Sequence, residues 1–393
     1  MAAISTEEYS SRNYRIVFEI LSFGFLVSGI IGTLIGPILP TFIARWSLND
    51  SAAGFFLTAM YIGSLTGTLI SSVVIERRGY KPTLALGYGL AAIGTAALIQ
   101  PSYKMALTAT VVYGVGYGLL VPATNLWVAE YSGPRRASAL NLLNLAWGIG
   151  AMGWPPLALY AIRGQHLVGT LRVVGAAALV LALGILWSPF LPYHRGQKDA
   201  RESAERKIPG LWVAVGLAFL FFVYVGTENG ISQWSAAHAK RVLAPGDPSW
   251  TLAPMLFFFG LLGGRALASL ILLRVKEIWV VYGGLMLAGT ATVITLSART
   301  RSTLFAGVCA AGLGCSGVYP VFVAWLAKWY GSKARSMGGV MFSLAALGGA
   351  SLPWLVGFVS KETSSLRIGL LVPVVGCVSM LGVTALLRPQ SRS

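Results

Sequence analysis

Two stretches of the chain decide its fold: GVGYGLLVPATNLWVAEYSG at 114–133 and GLGCSGVYPVFVAWLAKWYG at 312–331. Glycine, proline, tryptophan and alanine recur in the second stretch 198 residues after their places in the first. Chance agreement of so many positions is improbable, so we infer one structural unit present in two copies. The recurring pairs are Gly114/Gly312, Gly116/Gly314, Pro122/Pro320, Trp127/Trp325, Ala129/Ala327, Gly133/Gly331, Gly150/Gly348 and Pro155/Pro353 at offset 198, with Gly63/Gly260 and Gly67/Gly264 at 197.

The composition predicts an all-α membrane protein. Of 393 residues, 55% are hydrophobic and 11% charged, against about 25% charged in an average soluble domain. Most apolar runs have about 20 residues or more, enough to cross a hydrocarbon core of about 30 Å as a helix. We predict twelve transmembrane helices in two six-helix bundles, over residues 16–42, 53–75, 82–100, 105–129, 137–162, 167–190, 210–236, 251–273, 277–297, 302–327, 336–359 and 366–387.

The longest polar segment, 193–210, separates the two copies. We therefore predict an N-terminal six-helix bundle at 1–192, a cytoplasmic linker at 193–209 and a C-terminal bundle at 210–393. With both termini on one side, that side holds 19 of the 30 Lys and Arg residues. The positive-inside rule then places both termini in the cytoplasm of a plasma membrane, the inner membrane in a bacterium.

The net charge is +17. Its Lys and Arg residues are expected at helix ends, where they meet anionic membrane lipid, so no nucleic-acid partner is expected. The three cysteines have no metal-ligand spacing, so neither a metal nor a cofactor is expected. The three histidines share no site with a nucleophile, so no enzyme activity is expected. Two parallel repeats are the layout of secondary transporters, in which the substrate binds near mid-membrane. The GxxxG pairs predict close helix packing.

An acid within the seventh span marks the candidate site. YVGTENGISQW, 224–234, places Glu228 about 18 residues into the helix, roughly 27 Å from its start. A charge at the centre of a span costs about 2.5–3.5 kcal/mol, which favours a wet cavity beside it. Gly226 and Gly230 predict a bend or an unwound turn there. The amides of Asn229 and Gln233 with the Trp234 ring suit a polyhydroxylated ligand.

Alternatives stay open for each of these residues. Glu228 can be a structural acid paired with Arg265 of the eighth span. Glu19, near the cytoplasmic end of the first span, is expected to snorkel or pair. Further predicted pocket residues are Asn125, Asn144 and Tyr319, each of which can equally be a packing residue.

Two loops resemble the major facilitator superfamily. ERRGYKP at 76–82 resembles its loop of an acid, a base, glycine and further bases, although the acid is usually aspartate and Ser72 replaces an upstream glycine. AEYSGPRRAS at 129–138 resembles its acid–proline–arginine element. The resemblance implies a cytoplasmic gate of Glu76, Arg77, Glu130 and Arg136. The alternative is that these are solvated charges that set topology, since exposed pairs contribute at most about 1 kcal/mol each.

YVGTENGISQW and WGIGAMGWPPL at 147–157 resemble the fucose permease-like branch, which includes sugar/cation symporters. The resemblance implies acids in the first and fourth spans, but GTLIGPILP at 32–40 and GLLVPATN at 118–125 contain none. If transport is proton-coupled, Glu228 is the remaining carrier.

We predict a monomeric secondary transporter in contact with membrane lipid. It would move a small polar solute, a sugar or polyol, by alternating access coupled to a proton or sodium ion. The alternatives are a proton-driven exporter of drugs or metabolites and a non-transporting receptor or membrane enzyme.

Overall fold

The computed structural model describes residues 11–133, 136–190, 210–330 and 334–387, and within these ranges it contains helices and no β-strand. The predicted linker at 193–209 lies outside the described residues. The helices are α1 Ser11–Gly32, α2 Ile35–Arg45, α3 Asp50–Arg78, α4 Tyr80–Ala96, α5 Tyr103–Tyr131, α6 Arg136–Arg163, α7 Leu167–Trp187, α8 Leu211–Val242, α9 Ala253–Ile271, α10 Glu277–Ser297, α11 Arg301–Cys315, α12 Val318–Tyr330, α13 Ala334–Thr363, α14 Leu366–Gly369 and α15 Leu371–Leu386.

In the described part of the chain, eleven helical segments are long and apolar enough to cross a membrane. The first combines α1 with α2, and a later one, Arg301–Tyr330, combines α11 with α12. Helix α4 occupies the remaining predicted span with 17 residues, close to the lower limit for crossing a core of about 30 Å. The predicted all-α membrane fold is confirmed.

Three predicted spans are interrupted, between α1 and α2, between α11 and α12, and between α14 and α15. Each interruption lies three or four residues before a proline: Pro37, Pro320 and Pro373. Proline has no N–H to donate to the carbonyl four residues earlier, so the helix opens there. Helix α5 remains continuous at Pro122, and the Thr68 hydroxyl donates to the carbonyl oxygen of Gly118 at 3.2 Å.

The unwound turn predicted beside Glu228 is absent. Helix α8 runs without interruption from Leu211 to Val242 and contains no proline. A glycine inside a helix costs about 0.5–1 kcal/mol relative to alanine but removes no backbone hydrogen bond. Gly226 instead allows close packing, because a Cβ atom there would lie 2.7 Å from the Leu352 Cβ and 2.8 Å from the Gly348 carbonyl oxygen of α13.

The two copies predicted from the sequence pack their helices in the same way. A Cβ atom on Gly87 of α4 would lie 3.1 Å from the carbonyl oxygen of Gly116 in α5. Gly284 and Gly314, which follow them by 197 and 198 residues, place α10 against α11 with the corresponding distance at 2.6 Å. The close helix packing predicted from the GxxxG pairs is present between α3 and α5. A Cβ atom on Gly63 would lie 2.5 Å from the Val111 carbonyl oxygen.

The described residues fall into two compact units. The first contains the residues up to Thr33, Ile62–Gly153 and the segment that starts at Gly164. The second contains the described residues from 210 onward together with Leu34–Tyr61 and Trp154–Arg163. Parts of the first sequence copy thus belong to the second unit, and the bundle boundaries predicted from sequence stay a prediction.

Candidate substrate and coupling site

Glu228 lies on α8 and is half-buried. Tyr224 precedes it by four residues, so the two side chains share one face of the helix. The Glu228 carboxyl group and the Tyr224 hydroxyl are electrostatic neighbours. That hydroxyl also donates to the carbonyl oxygen of Cys315 at 2.8 Å. Tyr224 therefore ties the face of α8 that carries the acid to the end of α11.

Arg265 on α9 carries the opposing charge. It lies within electrostatic range of Glu228, Tyr224 and Tyr319. Among the described side chains, its Nε atom is buried without a hydrogen-bond partner, and no nitrogen of Arg265 lies within 4.0 Å of a carboxylate oxygen. The Glu228–Arg265 ion pair considered from the sequence is thus not formed in this structure, although the two charges are neighbours.

Aromatic rings complete this cluster. Tyr319 is the second residue of α12. Its ring stacks on that of Tyr224, with the ring centroids 5.5 Å apart and an interplanar angle of 30°. Phe221, one turn before Tyr224, meets Tyr319 edge-on at 5.5 Å. The four groups Glu228, Tyr224, Arg265 and Tyr319 are named here the α8 acid cluster. All of them belong to the second unit.

The other residues predicted on α8 have partners within the protein. The Asn229 amide nitrogen donates to the carbonyl oxygen of Val225 at 2.8 Å. Gln233 is buried, and its Oε1 atom lies against Gly36, where a Cβ atom would come within 2.5 Å of it. Trp234 is fully buried and its indole N–H donates to the carbonyl oxygen of Pro353 at 2.8 Å. Trp234 therefore occupies a packing position between α8 and α13.

Asn125 and Asn144 belong to the first unit. Asn125 is half-buried on α5 and donates to Val121 O at 2.9 Å. Asn144 is exposed on α6 and donates to Leu140 O at 2.8 Å. Each amide thus uses one hydrogen on its own helix and keeps a carbonyl oxygen and a second hydrogen for other partners.

The predicted cytoplasmic gate is described in part. Glu76 and Arg77 are exposed at the end of α3, and neither forms an ion pair with another described side chain. Glu130 accepts a hydrogen bond of 2.5 Å from the Tyr80 hydroxyl. The side chain of Arg136 lies outside the described residues. The gate remains a prediction, and the contact of Glu130 with Tyr80 was not indicated by the sequence.

The corresponding place in the second copy carries a different pair. Glu277 follows Tyr80 by 197 residues, and its Oε2 atom accepts from the Trp325 indole N–H at 2.8 Å. In the first copy the donor lies on α4 and the acid on α5. In the second copy the acid lies on α10, the counterpart of α4, and the donor lies on α12. Glu19 pairs with Arg15 at 2.8 Å on an exposed face of α1. The sequence indicated that Glu19 would snorkel or pair, but not which partner it would take.

These observations define the class of protein: a helical membrane transporter built from two copies of one unit. The chain belongs to the Major Facilitator Superfamily, whose sequence model matches residues 21–309. It is thus a transporter and not an enzyme. Its helices and its family make it an integral membrane protein.

The relatives cover most or part of the chain. An uncharacterized MFS-type transporter of Yersinia pestis is 22% identical over 365 residues, 92% of this chain and 91% of that protein. The L-fucose-proton symporter of Escherichia coli is 27% identical over 171 residues, 42% of this chain and 38% of that protein. The predicted resemblance to the fucose permease branch is supported by this relative.

Solved structures show the same fold. A bacterial homolog of the human lysosomal transporter Spinster, inward-facing and occupied, has a TM-score of 0.78 at 16% identity, covering 96% of this chain and 97% of that chain. The E. coli fucose:proton symporter has a TM-score of 0.64 at 19% identity, covering 97% and 100%. At these identities the likeness concerns the fold alone.

Proposed function

We propose that the protein is a secondary transporter that moves a small polar solute, a sugar or polyol, by alternating access. Glu228 would bind the solute or the coupling cation, a proton or sodium. The observation that carries the proposal is the α8 acid cluster, in which an acid and a guanidinium group lie close together without forming an ion pair. Intramembrane ionisable residues are costly, and they commonly mark substrate or ion pathways.

The chemistry of the cluster suits a hydroxylated solute. Carboxylate oxygens accept hydrogen bonds from hydroxyl groups, and the free Arg265 Nε–H can donate one. The stacked rings of Tyr224 and Tyr319 offer an apolar face of the kind that small-molecule sites combine with a few polar groups. The relationship to the L-fucose-proton symporter points in the same direction. We retain Asn125 and Asn144 as candidate contacts from the first copy.

The Tyr224 hydroxyl offers a route for coupling. It has one hydrogen, which it donates to the Cys315 carbonyl. A protonated Glu228 can donate to the Tyr224 oxygen and leave that bond intact. An ionised Glu228 can only accept, so it competes with Cys315 for the same hydrogen. Because Cys315 ends α11 at the interruption before α12, the protonation state of Glu228 would be transmitted to a break in the tenth predicted span.

A second candidate is a proton-driven exporter of amphipathic cations or metabolites. The observation in its favour is the aromatic surroundings of the cluster. The ring centroid of Phe322 lies 6.0 Å from that of Tyr224 and 6.2 Å from that of Phe221. The ring centroid of Phe342 lies 5.8 Å from that of Phe221. Aromatic faces attract organic cations as well as sugar rings.

We further propose that both termini are cytoplasmic, in the inner membrane of a bacterium. The charged ends of α3 and α5 would then gate the cytoplasmic side.

A ligand screen and a transport assay test these proposals together. Thermal unfolding of the purified protein is measured with sugars, polyols, nucleosides and lipophilic cations, and each stabilising compound is tested in proteoliposomes under imposed proton or sodium gradients. Accumulation of a sugar or polyol supports the proposed function. Expulsion of a lipophilic cation in exchange for protons supports the exporter. Binding without translocation of any compound contradicts both.

A further inference from the structure

An ion pair between Asp50 and Arg241 joins the two sequence copies. Arg241, at the end of α8, donates from Nη1 to Asp50 Oδ2 at 2.9 Å and from Nη2 to Oδ1 at 2.5 Å. The Ser360 hydroxyl of α13 donates to the same Oδ2 at 2.5 Å. Asp50 begins α3 in the first copy, whereas Arg241 and Ser360 lie in the second. All three belong to the second compact unit, and they are called here the three-residue latch.

The two partners are unequally hydrated. The Asp50 side chain is only 10% exposed, while that of Arg241 is 42% exposed. A buried carboxylate depends on its hydrogen-bond partners, because losing one leaves a poorly solvated charge. Two parallel N–H···O bonds from one guanidinium also fix the geometry of the contact. The acid therefore holds α8 and α13 at a defined position.

Neighbouring contacts reinforce the latch. The Asn49 side chain accepts from the Ala52 amide at 2.8 Å, which fixes the start of α3. Gly357 of α13 lies against the Asp50 backbone, where a Cβ atom would clash. Lys240, next to Arg241, reaches the Pro40 carbonyl oxygen at 3.4 Å. The last turn of α8 thus contacts both α2 and the start of α3.

The latch lies at one end of the helices. Asp50 and Arg78 are the two ends of α3, which has 29 residues and so is roughly 43 Å long at 1.5 Å per residue. The predicted gate lies at the Arg78 end, so the latch is at the opposite end. The other ion pairs among described residues, Arg15–Glu19 and Lys361–Glu362, each stay within one helix and are exposed on both sides.

We propose that Asp50, Arg241 and Ser360 form an ion-pair latch that closes the non-cytoplasmic end of the transporter and must open in every transport cycle. Alternating access requires the ends of the two copies to separate in turn, and a contact that joins the copies must break when its end opens. The proposal rests on the proposed alternating-access mechanism and adds residues to it. It does not depend on the substrate.

Spin-label distances test the latch without a substrate. Labels are placed at Ser47→Cys and Ala244→Cys, two exposed positions that flank it, in a Cys309→Ala background. Cys315 and Cys377 remain, because both are buried. The ratio of molecules with a long distance between the two labels to molecules with a short distance reports how often the latch is open. Asp50→Asn should raise this ratio about tenfold, equivalent to about 1.4 kcal/mol. Arg241→Lys and Ser360→Ala should raise it less.

Glu362→Gln is the matched control, because it removes an exposed ion pair on α13 that joins no second helix. Its distance distribution should equal that of the parent. If Asp50→Asn does not fold, Arg241→Lys and Ser360→Ala carry the test. The proposal is overturned if the folded latch variants give the parent distribution, or if Glu362→Gln shifts it as much as they do.

Discussion

The close packing of α10 against α11 can be tested at two adjacent glycines. A Cβ atom on Gly284 would lie 2.6 Å from the Gly314 carbonyl oxygen and 2.9 Å from the Val318 Cγ2 atom. Ordinary contacts of this kind lie near 3.5 Å, so Gly284→Ala requires the helices to separate by on the order of 1 Å. The carbonyl belongs to a helix backbone and cannot turn away. Such overpacking costs about 1–3 kcal/mol.

Gly283→Ala is the matched control one residue earlier. A Cβ atom there meets nothing within 4 Å, and replacing glycine by alanine inside a helix gains up to about 1 kcal/mol. We expect the two variants to differ by about 2 kcal/mol, which for a chain of 393 residues corresponds to about 2–3 °C in the unfolding midpoint. A thiol-reactive dye can follow unfolding in detergent, since Cys315 and Cys377 are buried until the protein opens. Equal midpoints would refute the packing argument.

Three further predictions concern stability. Tyr80→Phe removes the hydrogen bond to Glu130 and should cost about 1–2 kcal/mol; a midpoint equal to the parent's would show that the bond contributes nothing. Trp234→Phe loses the bond to the Pro353 carbonyl and part of a fully buried ring, so its midpoint should fall by several degrees, and an unchanged midpoint would contradict the packing position. Asp247 accepts from the Ser249 amide at 2.8 Å, and this hydrogen bond holds the pKa of the Asp247 carboxyl group below its usual value. Its stabilisation is therefore present above the unfolded-state pKa of about 4 and lost as pH falls through the lowered folded-state value. Asp247→Ala should consequently lower the midpoint at pH 6 more than at pH 3, and a difference independent of pH would contradict the assignment.

Length, apolarity and duplication made the helices predictable. Several glycines that recur at offsets of 197 and 198 lie where helix backbones approach, so the close contacts at Gly63, Gly116 and their second copies, Gly260 and Gly314, follow from the sequence. Breaks in the spans precede Pro37, Pro320 and Pro373, but helices run through Pro122, Pro155 and Pro353, so a proline alone does not fix where a span breaks. The unwound turn expected at Gly226 did not form, because glycine, unlike proline, removes no backbone donor.

The contacts between distant segments were not predictable from one sequence. Asp50 and Arg241 are 191 positions apart, and nothing local distinguishes Asp50 from any other acid at the start of a helix. Tyr224 could have been found, because it precedes Glu228 by one helical turn. Whether Arg265 pairs with Glu228 depends on how α8 and α9 are placed to within a few ångströms, which periodicity does not specify.

Transport by Glu228→Gln in proteoliposomes tests the central claim most directly, once a substrate is identified. Gradient-driven accumulation is compared with exchange of labelled for unlabelled solute in the absence of a gradient. Glu19→Gln is the control, because it removes an exposed acid from another span. We predict that Glu228→Gln abolishes accumulation while exchange persists, and that Glu19→Gln retains both. Normal accumulation by Glu228→Gln would contradict the role assigned to the α8 acid cluster.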